Sequence, residues 1–437
     1  MWQFARARGA AIMATTMLLV HCVVAPALAQ DDRDDGWDDE DENAVEIHGF
    51  VEGAGSARVG NDPTTDDDFL LGETRFRLEL SHFSDRAQLS FKGDFISDAI
   101  LQETRVDIRQ AWLSTIAGSW LDLRVGRQIL TWGTGDLLFL NDLFPKDFVS
   151  FFIGRDDEFL KAPSNTLKFS AFWRVLNIDL AWTPVFTPDR FITGERLSFY
   201  DPIANAIVSG DSTGEPIEPV FPARTVENSE TALRVYRTLG GYELAAYGYR
   251  GFFKRPLTWD PVAMAPTFSR LAVAGASARG NAAGGVFNVE GSYYASRDDR
   301  DGTNPLVPNS EVRALVGYDR ELVARVNLGL QYYVEWLQDY GALVANSPAP
   351  ANLPRETRQL ITTRLTWRLM QETLTLSLFG YIALGDNDTY WRPVASRQWT
   401  DNVSVALGAN VMTGDDHTFF GQLEHNSNVY LRFRYSF

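Results

Sequence analysis

Apolar and polar residues alternate along most of this chain. In TRFRLELSHF, Thr74, Phe76, Leu78 and Leu80 fall on one face of an extended strand, and Glu73, Arg75, Arg77 and Glu79 fall on the other. ARVNLGLQYYVEWL repeats the pattern, with Val326, Leu328, Leu330, Tyr332, Val334 and Trp336 on one side. ETLTLSLFGY and NVSVALGANVM follow it, as does the terminal NVYLRFRYSF, where Val429, Leu431, Phe433, Tyr435 and Phe437 share a face. Helical stripes at i, i+3, i+4 rarely compete. A two-residue period also suits a soluble sheet with one face on a core. Alternation by itself therefore predicts an all-β chain and leaves its solvent open.

The connections narrow the choice. Short links fall near Ser84-Asp85, Ala117-Gly118, Leu176-Asn177, Gly240-Gly241, Asn281 to Gly284, Arg320-Glu321, Gln371-Glu372 and Asp401-Asn402. Long or polar ones fall near 60–68, 98–103, 131–164, 187–229, 254–266, 297–309, 338–354, 386–389 and 414–426. A soluble sandwich has no reason to sort loop length by parity, whereas an outer-membrane barrel has tight periplasmic turns and long outer loops. The fold class predicted is a transmembrane antiparallel β-barrel of about eighteen strands over 46–437, with sixteen the neighbouring count and both termini periplasmic. A barrel of that size encloses an aqueous lumen.

The first residues agree with export. Arg6 and Arg8 precede a largely apolar run from Ala10 to Val24, and Ala27-Leu28-Ala29 is a small-x-small cleavage site. Residues 1–29 read as a signal peptide. Cys22, the single cysteine, leaves with it, so the mature chain forms no disulfide framework or thiolate metal site. Residues 30–45 contain DDRDDGWDDEDE and read as an acidic, solvated periplasmic tail. A net charge of −17 argues against nucleic-acid binding. The expected location is the outer membrane of a Gram-negative bacterium.

In lipid every backbone group must be paired, so the last strand has to close on the first. Val429, Leu431, Phe433, Tyr435 and Phe437 would then face the bilayer. The aromatic ending, Tyr435 and Phe437, is similar to the bacterial outer-membrane assembly signal. A narrower resemblance runs through VGRQILTWGTGDLLFLNDLFPKDF: Gly126-Arg127-Gln128, Trp132-Gly133, then Pro145 with Asp147-Phe148. It resembles a motif of poorly characterised porin-like barrels of proteobacteria, as do Trp399 to Asn410 and the RYSF end. Phe144 stands before Pro145 where those relatives usually carry Asn, and Asn141 lies three residues earlier. The resemblance implies an outer-membrane channel of unassigned substrate, with outer-membrane lipid, lipopolysaccharide and the barrel-assembly machinery as partners. A homo-oligomer and a periplasmic partner stay open.

Face assignment by alternation yields the candidate pore lining. Arg75, Arg77, Lys92, Arg105, Arg109, Arg124, Arg313, Arg364, Arg432 and Arg434 point inward, together with Lys168, Arg174, Arg234 and Arg368. They outnumber the inward acids Glu73, Glu79, Asp94, Asp107, Asp122, Asp179, Glu243, Glu290, Asp319 and Glu335. Either the two sets satisfy one another across neighbouring strands, or the surplus of arginine favours anionic solutes. The 131–164 connection is too apolar for a solvated tip, with Leu137 to Leu140, Phe144, Phe148, Phe151, Phe152 and Phe159. Leaving that surface in water is unfavourable by roughly 25 cal/mol per Å². It should fold into the lumen, with Asp136, Asp142, Lys146, Asp147 and Arg155 facing the remaining water as a constriction. The polar, Pro-rich 187–229 connection suits an external cap.

Other function classes have weaker support. No Gly-x-Ser-x-Gly, His-Glu-x-x-His or phosphate-cradling glycine loop occurs, so no catalytic residue, cofactor or resident metal is assigned. GDDHTFFGQLEHN could bring His417, His425 and acids together as a surface metal site, against the plainer reading of solvated loop residues. The alternatives to a diffusion channel are a transporter of hydrophobic molecules, an outer-membrane component of an export system, or a sleeve around a periplasmic partner.

Overall fold

The computed structural model describes residues 45–201, 204–210, 214–349 and 353–437. The signal peptide and acidic tail, save Val45, lie outside the described residues.

The chain is a closed antiparallel barrel of 18 strands. They are β1 (Val45–Arg58), β2 (Phe69–Phe83), β3 (Ala87–Asp98), β4 (Glu103–Ala117), β5 (Leu121–Gln128) and β6 (Ser164–Phe172). Next come β7 (Asn177–Thr183), β8 (Glu230–Leu239), β9 (Tyr242–Phe252), β10 (Arg270–Ala282), β11 (Gly285–Ser296) and β12 (Glu311–Val323). The circuit ends with β13 (Val326–Leu337), β14 (Thr357–Leu369), β15 (Leu374–Ala383), β16 (Thr389–Gln398), β17 (Val403–Thr413) and β18 (Asn428–Ser436). Each strand pairs with the next in sequence, and β18 pairs with β1 from Phe50↔Ser436 to Arg58↔Asn428. Turns of two to four residues join the strands at the end of the barrel that carries Val45 and Phe437, and the long connections lie at the other end, together with the short 99–102 and 384–388 links.

The faces run opposite to those of a soluble protein. Phe76, Phe95, Val106, Val125, Leu330, Trp367, Leu407, Leu431 and Phe433 are exposed on the outside, while Glu52, Glu73, Arg75, Arg77, Asp94 and Glu290 are buried within. That is the arrangement of a barrel whose outer solvent is hydrocarbon. Register shifts break the alternation at Ser56/Ala57, at Glu321/Val323 and in β4, where Lys92 pairs with Gln110 and Gly93 with Ile108, so Arg109 is an extra residue bulged out of the strand. At the seam, Gly49 and Phe437 exchange both backbone hydrogen bonds at 3.0 Å, and the Phe437 ring stacks on Phe76.

Candidate functional site

The connection between β5 and β6 runs along the inside of the barrel. Its apolar residues go to three patches of wall. Leu130, Trp132 and Phe144 pack with Ala181 (β7), Ala232 (β8), Tyr249 (β9), Leu271 and Val273 (β10) and Tyr294 (β11). Leu138 and Leu140 meet Leu315 (β12), Tyr333 (β13), Leu360 (β14) and Ala383 (β15). Phe151, Phe152 and Ile153 sit in the largest cluster, among Phe379, Tyr381, Tyr390, Met412, Ala54, Leu70 and Leu71. This third group lies on α1 (Phe148–Ile153), whose N-terminus is capped by Asp147 accepting from Ser150 N.

Polar anchors hold the same path. Glu290 of β11 accepts Thr134 N and Asn141 N at 2.8 and 2.9 Å, and also the Thr134 hydroxyl and the Asn141 amide. Gln331 of β13 accepts Asp136 N and donates to Asp136 O. Tyr294 and Tyr381 donate to the carbonyls of Leu140 and Leu137. Farther along, Asn410 and Asn428 both donate to Phe152 O, at 3.0 and 2.9 Å. The backbone groups of an irregular segment must find partners when water is displaced, and here the wall supplies them.

The turn after α1 carries Arg155, Asp156, Asp157 and Glu158, and each meets an opposite charge from the wall. Arg155 binds Glu73 of β2. Arg432 of β18 reaches Asp156 at 3.1 Å, Arg392 of β16 reaches Asp157 at 2.6 Å, and Arg77 of β2 reaches Glu158 at 2.6 Å. Arg434 binds Glu158 at 3.1 Å while holding Glu52 of β1. Burial alone would raise the Asp156 carboxyl. The guanidinium of Arg432, with the Glu158 amide, Arg434 and Arg392, holds it below the usual carboxylate range instead. Phe159 then slides between Arg75, Arg77 and Arg109, whose guanidinium carbons lie 4.1, 5.2 and 5.0 Å from its ring centre.

This geometry sorts the residues singled out by alternation. Arg75, Arg77 and Arg109 do point inward, but the inner loop covers them, at 3, 2 and 3 % exposure. Lys92, Arg105, Arg364 and Arg434 keep more contact with the lumen. Arg124 lies over Trp112, Arg313 pairs with Glu311, and Lys168 and Arg234 flank Asp179. Arg174 corrects the face assignment, since β6 ends at Phe172 and Arg174 belongs to the tight turn before β7. Carboxylates thus meet most of the inward arginines, as the mutual-satisfaction account requires.

The constriction residues need a correction too. Of the five expected to face water, Asp142, Lys146, Asp147 and Arg155 are buried, and Asp136 keeps partial exposure, paired with Arg364. Lys146 binds Asp142 and the Phe144 carbonyl, and Asp147 joins Arg190 to the helix cap. Their charges are used to fold the loop. The 187–229 connection is likewise only partly a cap. Asp189, Arg196, Leu197 and Ser198 are buried, with Lys146 N donating to Asp189 and Arg196 bound to Asp98. In the last outer loop, His425 lies 3.0 Å from Asn61 O, and among the described residues no His, Cys, Asp and Glu group fit for a metal assembles.

Glu290 appeared in the sequence only as one inward acid, and Gln331, Asn410 and Asn428 gave no signal beyond inward parity. The GRQ…WG…PxDF stretch had a signal, and its chemistry is now visible. Gly126 has φ +129°, and a Cβ there would lie 2.2 Å from Ala111 O; Gly133 has φ +83°, and a Cβ would meet Glu290 at 2.8 Å. Gln128 donates to Thr166 O, tying β5 to β6 where the loop departs.

No protein-family model matches the chain, and no curated protein matches it. Solved structures do. OccD3 (OpdP) of Pseudomonas aeruginosa is 9 % identical with a TM-score of 0.52, covering 90 % of this chain and 91 % of its own. OccAB3 of Acinetobacter baumannii is 9 % identical with a TM-score of 0.52, over 90 % and 99 %. OccK2 (OpdF) of Pseudomonas aeruginosa, solved with glucuronate, is 10 % identical with a TM-score of 0.51, over 90 % and 97 %. The likeness is one of fold: an 18-stranded barrel of the outer-membrane porin architecture.

Proposed function

We propose that this chain is an outer-membrane channel for diffusion of small solutes, with a pore narrowed by the 131–164 segment. The observation that carries the reading is the position of that segment, anchored by Glu290, Gln331, Asn410 and Asn428 to inward-facing positions on distant strands. An 18-stranded barrel without such an insertion would be an open, wide lumen. A long ordered loop laid on its wall is the economical way to set size selection.

Much of the apolar stretch 136–152 that motivated a transporter of hydrophobic molecules is used in packing: Leu140, Phe144, Phe151 and Phe152 are buried, and Leu137, Leu138, Phe139 and Phe148 pack partly buried against the same clusters. Packing against the wall accounts for that apolar surface without a hydrophobic solute, so the aqueous channel is the better-supported reading. The lipid-facing band, the signal-like start and the aromatic ending support residence in the outer membrane, with lipopolysaccharide and the assembly machinery as partners.

Planar-bilayer recording tests the reading. The refolded protein should give discrete conductance steps smaller than those of an unobstructed barrel of this strand number. A silent bilayer over many verified insertions would sink it.

A further inference from the structure

Three apolar side chains face the lumen at the rim that carries the tight turns. Phe83 closes β2, Ile116 lies near the end of β4, and Phe172 closes β6. By alternation each shares the inward face of its strand, with Glu79, Ser114 and Ser170 respectively. Each stays exposed, at 45, 55 and 47 %. Inward positions at the same rim on other strands are polar, as at Thr238, Asn281, Gln398, Ser404 and Ser436. The three apolar side chains line one open cleft of about 390 Å³ on the lumen side of β2 to β6, together with Gln88, Arg86 and Arg124. Contiguous apolar surface left in water is unfavourable by roughly 25 cal/mol per Å², so such a cleft calls for a cover.

The charges around the cleft set the sign of that cover. Arg86, Arg124, Lys168 and Arg174 stand on this stretch of rim, against Asp85, Asp122 and Asp179. Asp122 accepts from the Ser114 hydroxyl at 2.8 Å, and Asp179 is approached by both Lys168 and Arg234, at 3.7 and 3.9 Å. Arg124 lies over the Trp112 ring, and its Nε is shielded from solvent without an acceptor. An incoming acid would therefore find Arg86 and Arg124 at the edge of the apolar patch.

A segment of matching character is rooted beside it. Val45, where β1 begins, pairs with His82, the residue before Phe83. Ahead of it, DDRDDGWDDEDE at 31–42 holds one large apolar side chain, Trp37, between acids on both sides. Trp37 and Val45 are eight residues apart, an extended reach of roughly 27 Å. The middle of the cleft, at β4, is three strand spacings from β1, or roughly 15 Å. We propose that the acidic segment 31–42 docks in this cleft of its own barrel, with Trp37 against Phe83, Ile116 and Phe172 and its carboxylates toward Arg86 and Arg124. Trp37 supplies the apolar cover, and the acids add a weaker attraction that salt screens. The docked segment lays negative charge along one side of the lumen's exit. The inference does not depend on the channel reading, and its test reads no current.

The test is disulfide trapping in the chain from Gln30 onward, refolded in detergent; Cys22, the single native cysteine, lies before that start. Gly36→Cys is combined either with Ser119→Cys, in the β4–β5 turn that lines the cleft, or with Asp401→Cys, in the β16–β17 turn. By strand order Asp401 is the nearer to the root of the segment, since β17 lies two strands from β1 and β4 lies three. A freely moving segment would thus form the Gly36→Cys/Asp401→Cys disulfide at least as fast under copper–phenanthroline. Docking should instead make the Gly36→Cys/Ser119→Cys disulfide form about tenfold faster or more, read on non-reducing gels. Adding Trp37→Ala should abolish that preference, Trp37→Phe should keep most of it, and R86Q/R124Q should reduce it at low salt. Heat-dependent gel mobility reports whether each barrel is folded. If R86Q/R124Q does not fold, the Trp37 variants, which leave the barrel sequence untouched, decide. Equal rates at the two positions overturn the proposal, as does a preference that Trp37→Ala leaves unchanged.

Discussion

Removing the Glu290 side chain should loosen the inner loop without touching the strands. Four donors converge on its carboxylate: the backbone N–H groups of Thr134 and Asn141, the Thr134 hydroxyl and the Asn141 amide. A hydrogen bond to a charged acceptor contributes about 1.5–3 kcal/mol, but the four are not additive and lumen water recovers part of the loss. Glu290→Ala should weaken docking of the 134–141 limb by roughly 3–5 kcal/mol on that basis. Glu290→Gln keeps an oxygen for Asn141 but turns an N–H toward the Thr134 donors, so it should lose roughly half as much. The assay is single-channel recording in a planar bilayer. Wild-type current should be quiet, Glu290→Gln noisier, and Glu290→Ala noisy with a higher mean conductance. A folded Glu290→Ala barrel with the quiet current and conductance of the wild type would refute the reasoning.

The other predictions concern the docked turn, the seam and the packing of α1. Because the Asp156 carboxyl is held below its ordinary range by Arg432, Arg434 and Arg392, its contribution to docking is fully present above the undocked carboxylate range. It is lost as pH falls through the depressed value, so conductance should be flat from neutral pH to the ordinary carboxylate range and rise only below it; a rise centred near neutrality would contradict this. Gly49→Ala would place a Cβ 2.3 Å from Arg77 O and 2.6 Å from the Phe437 ring, so the β1–β18 seam should open at lower temperature in heat-dependent gel mobility. Phe151→Ala leaves a cavity among Phe379, Tyr390 and Met412, and should destabilise the docked loop by about 3–5 kcal/mol, read as faster proteolysis within 137–153.

The barrel was legible because lipid leaves so little choice. Most spans repeat the same two-residue period, and the longest loops fall on one side, so the β5–β6 departure and the β18–β1 closure could be placed from the sequence. The constriction was half legible. The apolar content of 137–159 said that the segment must pack on something, and it does. Alternation reports which face a side chain takes and not how deeply it is covered. Arg75, Arg77 and Arg109 therefore read as pore lining, although Phe159 and Glu158 lie over them. Asp142, Lys146 and Asp147 looked like solvated loop charges for the same reason, since their partners Thr131, Phe144 and Arg190 come from turns that the period does not describe. Glu290 and Asn428 lie more than a hundred residues from the loop they anchor, and one sequence carries no record of such pairs. The bulge at Arg109 is invisible to a strict period-two reading.

The most direct measurement of the central claim is the single-channel conductance of the full barrel beside a variant lacking 137–153. That deletion removes α1 and the limb packed on Leu315, Tyr333 and Leu360, while leaving all 18 strands. If the segment narrows the lumen, the deleted barrel, shown to be folded by its heat-dependent mobility, conducts markedly more current at the same voltage and salt. Equal conductance in the two folded barrels would contradict the account.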